Sequence, residues 1–155
     1  MDYPNMKFAF IYEPENIDDL KLTKYELHGR MPYLKSKIGD KEIFMYFDTG
    51  AVGWLYFPLS LKDSVSFKVP LKKWKKLWNN QTGTTESFIG QVNENINFGD
   101  FNIELPWIFF EPGLDEVLVS SSLLKEFKLT FYVDKKLVGM ERTSSSNKIV
   151  IPIQD

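Results

Sequence analysis

Apolar and polar positions alternate along this chain in short blocks, each bounded by glycine, proline or small polar residues, which is the pattern of half-buried β-strands. Lys7-Phe8-Ala9-Phe10-Ile11-Tyr12 reads as a short strand, stopped by Glu13-Pro14-Glu15-Asn16. Residues 24–38 and 42–48 form two apolar-rich runs parted by Gly39-Asp40, a hairpin signal. Within the second, Ile43-Phe44-Met45-Tyr46-Phe47 is apolar throughout, which predicts a strand buried on both faces. Residues 92–98 and 101–110 repeat the arrangement around Gly99-Asp100. Residues 129–133 and 137–140 flank Asp134-Lys135-Lys136, and Ile149-Val150-Ile151 makes a last strand.

Two segments depart from this rhythm. In residues 70–78, Leu71, Trp74, Leu77 and Trp78 are spaced for one helical face, with Pro70 suited to a first turn. The opposite face would carry Lys72, Lys73, Lys75 and Lys76, a solvated lysine stripe rather than a base-stacking surface. Ser120-Ser121-Ser122 before Leu123-Leu124-Lys125-Glu126-Phe127 predicts a serine-capped short helix. Residues 81–91 are polar and hold Gly83 and Gly90, which predicts a loop or hairpin tip between strands. The sum is a mainly β chain of about eight or nine strands and one or two short helices, closing as a small barrel or sandwich.

Composition narrows the chemistry. The 155 residues make a single domain, 1–155, with a core large enough to need no staples. There is no cysteine, which excludes disulfides, thiolate metal sites and a cysteine nucleophile. The single histidine, His28, excludes multi-histidine metal cages and leaves only one conceivable serine triad. A net charge of −2 makes no case for nucleic acid. No apolar run is long enough to span a membrane, and no signal peptide opens the chain, so a cytoplasmic location is expected.

The candidate chemistry is at Phe47-Asp48-Thr49-Gly50-Ala51. Here an acidic residue ends an apolar strand and is followed by a hydroxyl and a glycine. A carboxylate so placed is short of water and of cationic neighbours, the setting in which a carboxyl is tuned for acid–base work. Gly50 permits a tight turn, and Thr49 supplies a hydroxyl to hold it.

Asp48-Thr49-Gly50-Ala51 after a hydrophobic strand resembles the active-site motif of retropepsin-like aspartic proteases. The resemblance runs over residues 31–141, through Gly53 and Pro58 after the motif, a Gly/Thr-bearing segment at 82–90, and the block from Glu116 to Phe127. It is closest in kind to the single-domain bacterial and archaeal members.

That resemblance implies a small closed β-barrel of the acid-protease type, with a flap hairpin over a cleft and Gly83, Thr84 and Thr85 in the flap. It implies a homodimer in which each chain contributes one Asp48 to a shared dyad, the active-site loop being Thr49, Gly50 and Ala51. The substrate would be a peptide or protein, and the chemistry needs no cofactor and no metal. No second Asp-Thr-Gly or Asp-Ser-Gly occurs, and neither Asp63 nor Asp134 has a glycine turn, so one chain supplies one carboxylate. Residues 1–25 would form an N-terminal extension, as an edge strand or a dimer contact. One departure is notable: Ser120 stands at a loop-supporting position where the family usually has glycine, and overpacking a tight site costs about 1–3 kcal/mol. The alternative reading is therefore a catalytically weak or inactive module that dimerises or binds peptides.

Overall fold

A computed structural model describes residues 21–51, 53–79, 83–142 and 148–149. The expected strand at 7–12, residues 1–20 of the N-terminal extension and Val150-Ile151 lie outside the described residues.

The described residues form one 13-stranded sheet. The first strands are β1 (Leu22–His28), β2 (Met31–Ile38), β3 (Lys41–Asp48) and β4 (Leu55–Pro58). A 3-10 turn at Leu59–Ser64 leads to β5 (Phe67–Asn79) and β6 (Gly83–Val92). Then come β7 (Ile96–Phe98), β8 (Phe101–Ile103), β9 (Trp107–Glu111) and β10 (Val117–Ser120). The helix α1 (Ser121–Leu124), then β11 (Phe127–Tyr132), β12 (Leu137–Arg142) and β13 (Lys148–Ile149) complete the described chain.

The hydrogen-bonded order is β11-β12-β1-β2-β3-β10-β4-β9-β6-β5, with β7, β8 and β13 off this path. The two ends of the path do not pair, so the expected barrel is not closed by hydrogen bonds. The expected hairpins at Gly39-Asp40 and Gly99-Asp100 form as β2–β3 and β7–β8, and Gly39 (φ 55°) and Gly99 (φ 59°) take the left-handed conformation these tight turns require. The run read as 24–38 is broken at Gly29-Arg30 into β1 and β2.

Residues 70–78 are strand, not helix. They belong to β5, which pairs antiparallel with β6 along its length. The register slips between Val69 and Lys72, where three steps on β5 face two on β6, and again between Lys73 and Lys76. Such bulges insert an extra residue and interrupt the strict alternation of the strand. Partly buried Leu71 packs on the large core and Trp74 on the cluster of Tyr56 and Phe109, so the two face opposite sides of the strand, while Lys72 and Lys73 stay exposed. Gly83, Thr84 and Thr85 open β6, opposite Asn79, Trp78 and Leu77, so most of the expected 81–91 loop is a strand of this hairpin.

The sheet curls around one large core, in which Leu34, Met45, Phe57, Phe110, Val119, Leu123 and Phe127 are fully enclosed. Its other face carries a smaller cluster of Tyr56, Ile89, Phe109 and Leu118, with Tyr46, Ala51, Trp74, Trp107 and Leu114 packed around it. Strand β3 divides its side chains between them. Ile43, Met45 and Phe47 enter the large core, while Phe44 remains 37% exposed and Tyr46 half-buried. The expectation of burial on both faces of β3 therefore holds for one face only.

Candidate active site

Asp48 is the last residue of β3, and its strand face follows from the residue before it. Phe47 is locked into the large core, edge-on to Phe98 at 6.0 Å and to Phe131 at 5.8 Å. Successive side chains in a strand point to opposite faces. Asp48 thus shares the face of Tyr46, above the smaller cluster. The carboxylate is half-buried, and its Oδ1 accepts the Gly50 N–H at 2.8 Å. A Cβ on Gly50 would sit 3.3 Å from that same oxygen, so a bare backbone suits the turn. Thr49 and Gly50 are exposed.

Strand β10 runs parallel to β3 with Ser120 opposite Asp48. From there two serines hold the loop that leaves Asp48. The Ser120 N–H donates to Trp54 O at 3.0 Å, and its hydroxyl donates to Gly53 O and, at 3.1 Å, to Trp54 O. Both the N–H and the hydroxyl of Ser121 donate to Ala51 O, at 3.2 and 2.7 Å. The serine cap expected for α1 is absent, because the Ser120 side chain bonds this loop instead of the helix. The Ser120 side chain is fully buried. Its added oxygen meets a carbonyl rather than a crowded wall. Gly53 sits at φ 111°, and a Cβ there would come within 2.5 Å of the Tyr56 hydroxyl.

Several groups on this face have no motif to announce them. The Tyr33 hydroxyl donates to Glu116 Oε2, and Tyr33 packs 5.6 Å from the Tyr46 ring. Burial and that hydrogen bond push Tyr33 up to about 12 from its ordinary 10.0. Tyr46 is also raised, by burial first and then by the charges of Asp48, Glu116 and Glu111. Tyr56 stacks on Phe109 at 5.0 Å, and burial with the Glu111 charge pushes it up to about 12. Burial raises Glu111, against the opposing hydrogen bond from the Ser87 hydroxyl at 3.1 Å. One signal for Tyr46 lies in the sequence, since it precedes Asp48 by two and must share its face. Tyr33 and Glu116 lie 83 residues apart and have no local signal.

His28 is exposed and stacks on Tyr33 at 4.2 Å. Asp63 lies in the 3-10 turn Leu59–Ser64 and Asp134 in another, Val133–Lys135. No group of three or more metal-ligating side chains occurs among the described residues. No described helix is long and apolar enough to cross a membrane.

No family model matches this sequence, and no curated protein sequence matches it. Solved structures do. EIAV protease, in complex with the inhibitor HBY-793, is similar with a TM-score of 0.51 and 14% identity, over 63% of this chain and 88% of that one. A retropepsin-like aspartic protease from Rickettsia conorii aligns with a TM-score of 0.48 and 20% identity, over 77% of this chain and 87% of that one. The fold is retropepsin-like.

Proposed function

We propose that this protein is an aspartic endopeptidase whose active site forms between two copies of the chain. The observation that carries this reading is Asp48 itself. It ends a strand anchored by Phe47 and opens a loop braced at Ala51, Gly53 and Trp54, yet Thr49 and Gly50 beside it are exposed. In a homodimer those exposed residues would meet their copies and bring two Asp48 carboxyls together. One carboxylate then takes a proton from water, and the other, protonated, donates to the scissile carbonyl as the tetrahedral intermediate forms.

The remaining parts follow the same reading. The β5–β6 hairpin serves as the flap, with Gly83, Thr84 and Thr85 near its tip. An extended peptide lies between flap and floor and adds strand-like hydrogen bonds. The Ser120 hydroxyl acts as a loop brace, which supports catalytic competence over the alternative of an inactive peptide-binding module.

The test combines solution mass with peptide cleavage between about pH 4 and pH 7. A dimer is expected, and Asp48→Asn should cut cleavage by at least about 10³-fold while leaving the dimer intact. A monomer at working concentration, or cleavage indifferent to Asp48→Asn, overturns the proposal. A dimer that binds peptides without cutting them supports the module.

A further inference from the structure

The face onto which Asp48 opens is aromatic, but it is also acidic. Tyr33 and Tyr46 stand opposite each other on β2 and β3, and Leu118 stands opposite both Tyr46 and Tyr56. Phe109 extends this floor beyond Tyr56. Into the floor reach Glu116, held by the Tyr33 hydroxyl, and Glu111, held by Ser87. Among the described residues, none of Asp48, Glu111 and Glu116 forms an ion pair. The described cations around this face do not pair with these carboxylates. Lys35 pairs with Glu42 at 2.9 Å, and Lys41 donates to Ser64 at 2.7 Å. Lys62 shares a groove with Glu111 and Asp115 without pairing with either. Among the described residues, then, no ion pair offsets the carboxylate charges that act on Tyr46.

We propose that the cleft selects an extended peptide bearing a lysine or arginine close to the scissile bond, with its stem along Tyr46 and its charge on Glu116. This rests on the peptidase reading for the position of the cleft. The chemistry fits at both ends of such a side chain. A tyrosine face attracts a cation, and the aliphatic stem of lysine or arginine packs on apolar surface. Tyr33 occupies Oε2 of Glu116, and this exposed carboxylate keeps Oε1 for a charge-assisted bond. A wholly apolar side chain in the same place would strip water from Glu116 and return nothing, the more costly outcome.

The experiment uses extended peptides identical except at the central positions, where lysine, arginine, norleucine or glutamate is placed in turn. Cleavage is measured with the wild type, and binding with both the wild type and Asp48→Asn. Lysine or arginine should exceed norleucine by roughly tenfold at one position or more. Glu116→Gln keeps an acceptor for Tyr33 and should abolish that preference. Glu116→Lys should turn it toward glutamate. Cleavage that favours norleucine, or a preference that survives Glu116→Gln, overturns the inference while the peptidase reading stands. If no peptide is cut, the peptidase reading falls, and binding still decides. Tighter basic peptides that lose their advantage in Glu116→Gln support the inference, and equal or absent binding overturns it.

Discussion

The Ser120 hydroxyl, at the end of β10, donates to the carbonyl oxygen of Gly53 in the loop that leaves Asp48, joining residues 67 apart in sequence. With Ser121 on Ala51, it ties the start of α1 to the candidate catalytic loop. The brace is buried, so its loss would leave a carbonyl short of a partner.

Ser120→Ala is expected to destabilise the fold by about 1–3 kcal/mol, because the buried Gly53 carbonyl loses its donor while Trp54 keeps the backbone N–H. Chemical denaturation at fixed protein concentration measures this. A variant as stable as the wild type would mean that water or a shifted side chain replaces the bond.

Gly53→Ala faces two penalties at once. Its φ of 111° is unfavourable for a residue with a Cβ, and that Cβ would sit 2.5 Å from the Tyr56 hydroxyl. A loss of about 2–4 kcal/mol is expected. Removing the hydroxyl in Tyr56→Phe should recover part of it. A double-mutant cycle in denaturant gives the coupling, and strictly additive losses would contradict the steric account.

Glu111 gives a pH dependence of defined sign. Burial raises it above the ordinary 4.5, so the folded state binds this proton more readily than the unfolded chain does. The stability it supports is complete below about pH 4.5 and declines as pH rises through the folded value. Glu111→Gln retains an acceptor for Ser87 and never ionises. It should therefore match the wild type at acid pH and exceed it in stability at neutral pH, by denaturation at the two conditions. Equal stability of the two proteins at neutral pH would show that the carboxylate is well solvated after all.

Much of the strand order was readable because its signals are local. Gly39-Asp40 and Gly99-Asp100 mark turns by what glycine permits, and the apolar run before Asp48 marks a strand by composition. The helix expected at 70–78 failed for a reason equally physical. Leu71 and Trp74 stand three apart because they pack on opposite faces of β5, which mimics helical spacing, while ladder bonds to β6 and ring contact of Trp74 with Phe109 at 6.0 Å favour the extended form. Ser120 was legible as a departure but not as a brace, since its acceptor belongs to a distant segment.

What the sequence alone determined is the Asp48-Thr49-Gly50 turn on a mainly β chain, because strand, turn and carboxylate are each specified within a few neighbouring residues. Only the tertiary structure decided which face Asp48 shares, what holds its loop, and that Tyr33 and Glu116 stand beside Tyr46. Those relations depend on the parallel pairing of β3 with β10, a register set by packing two distant apolar faces into one core and carried by no local pattern.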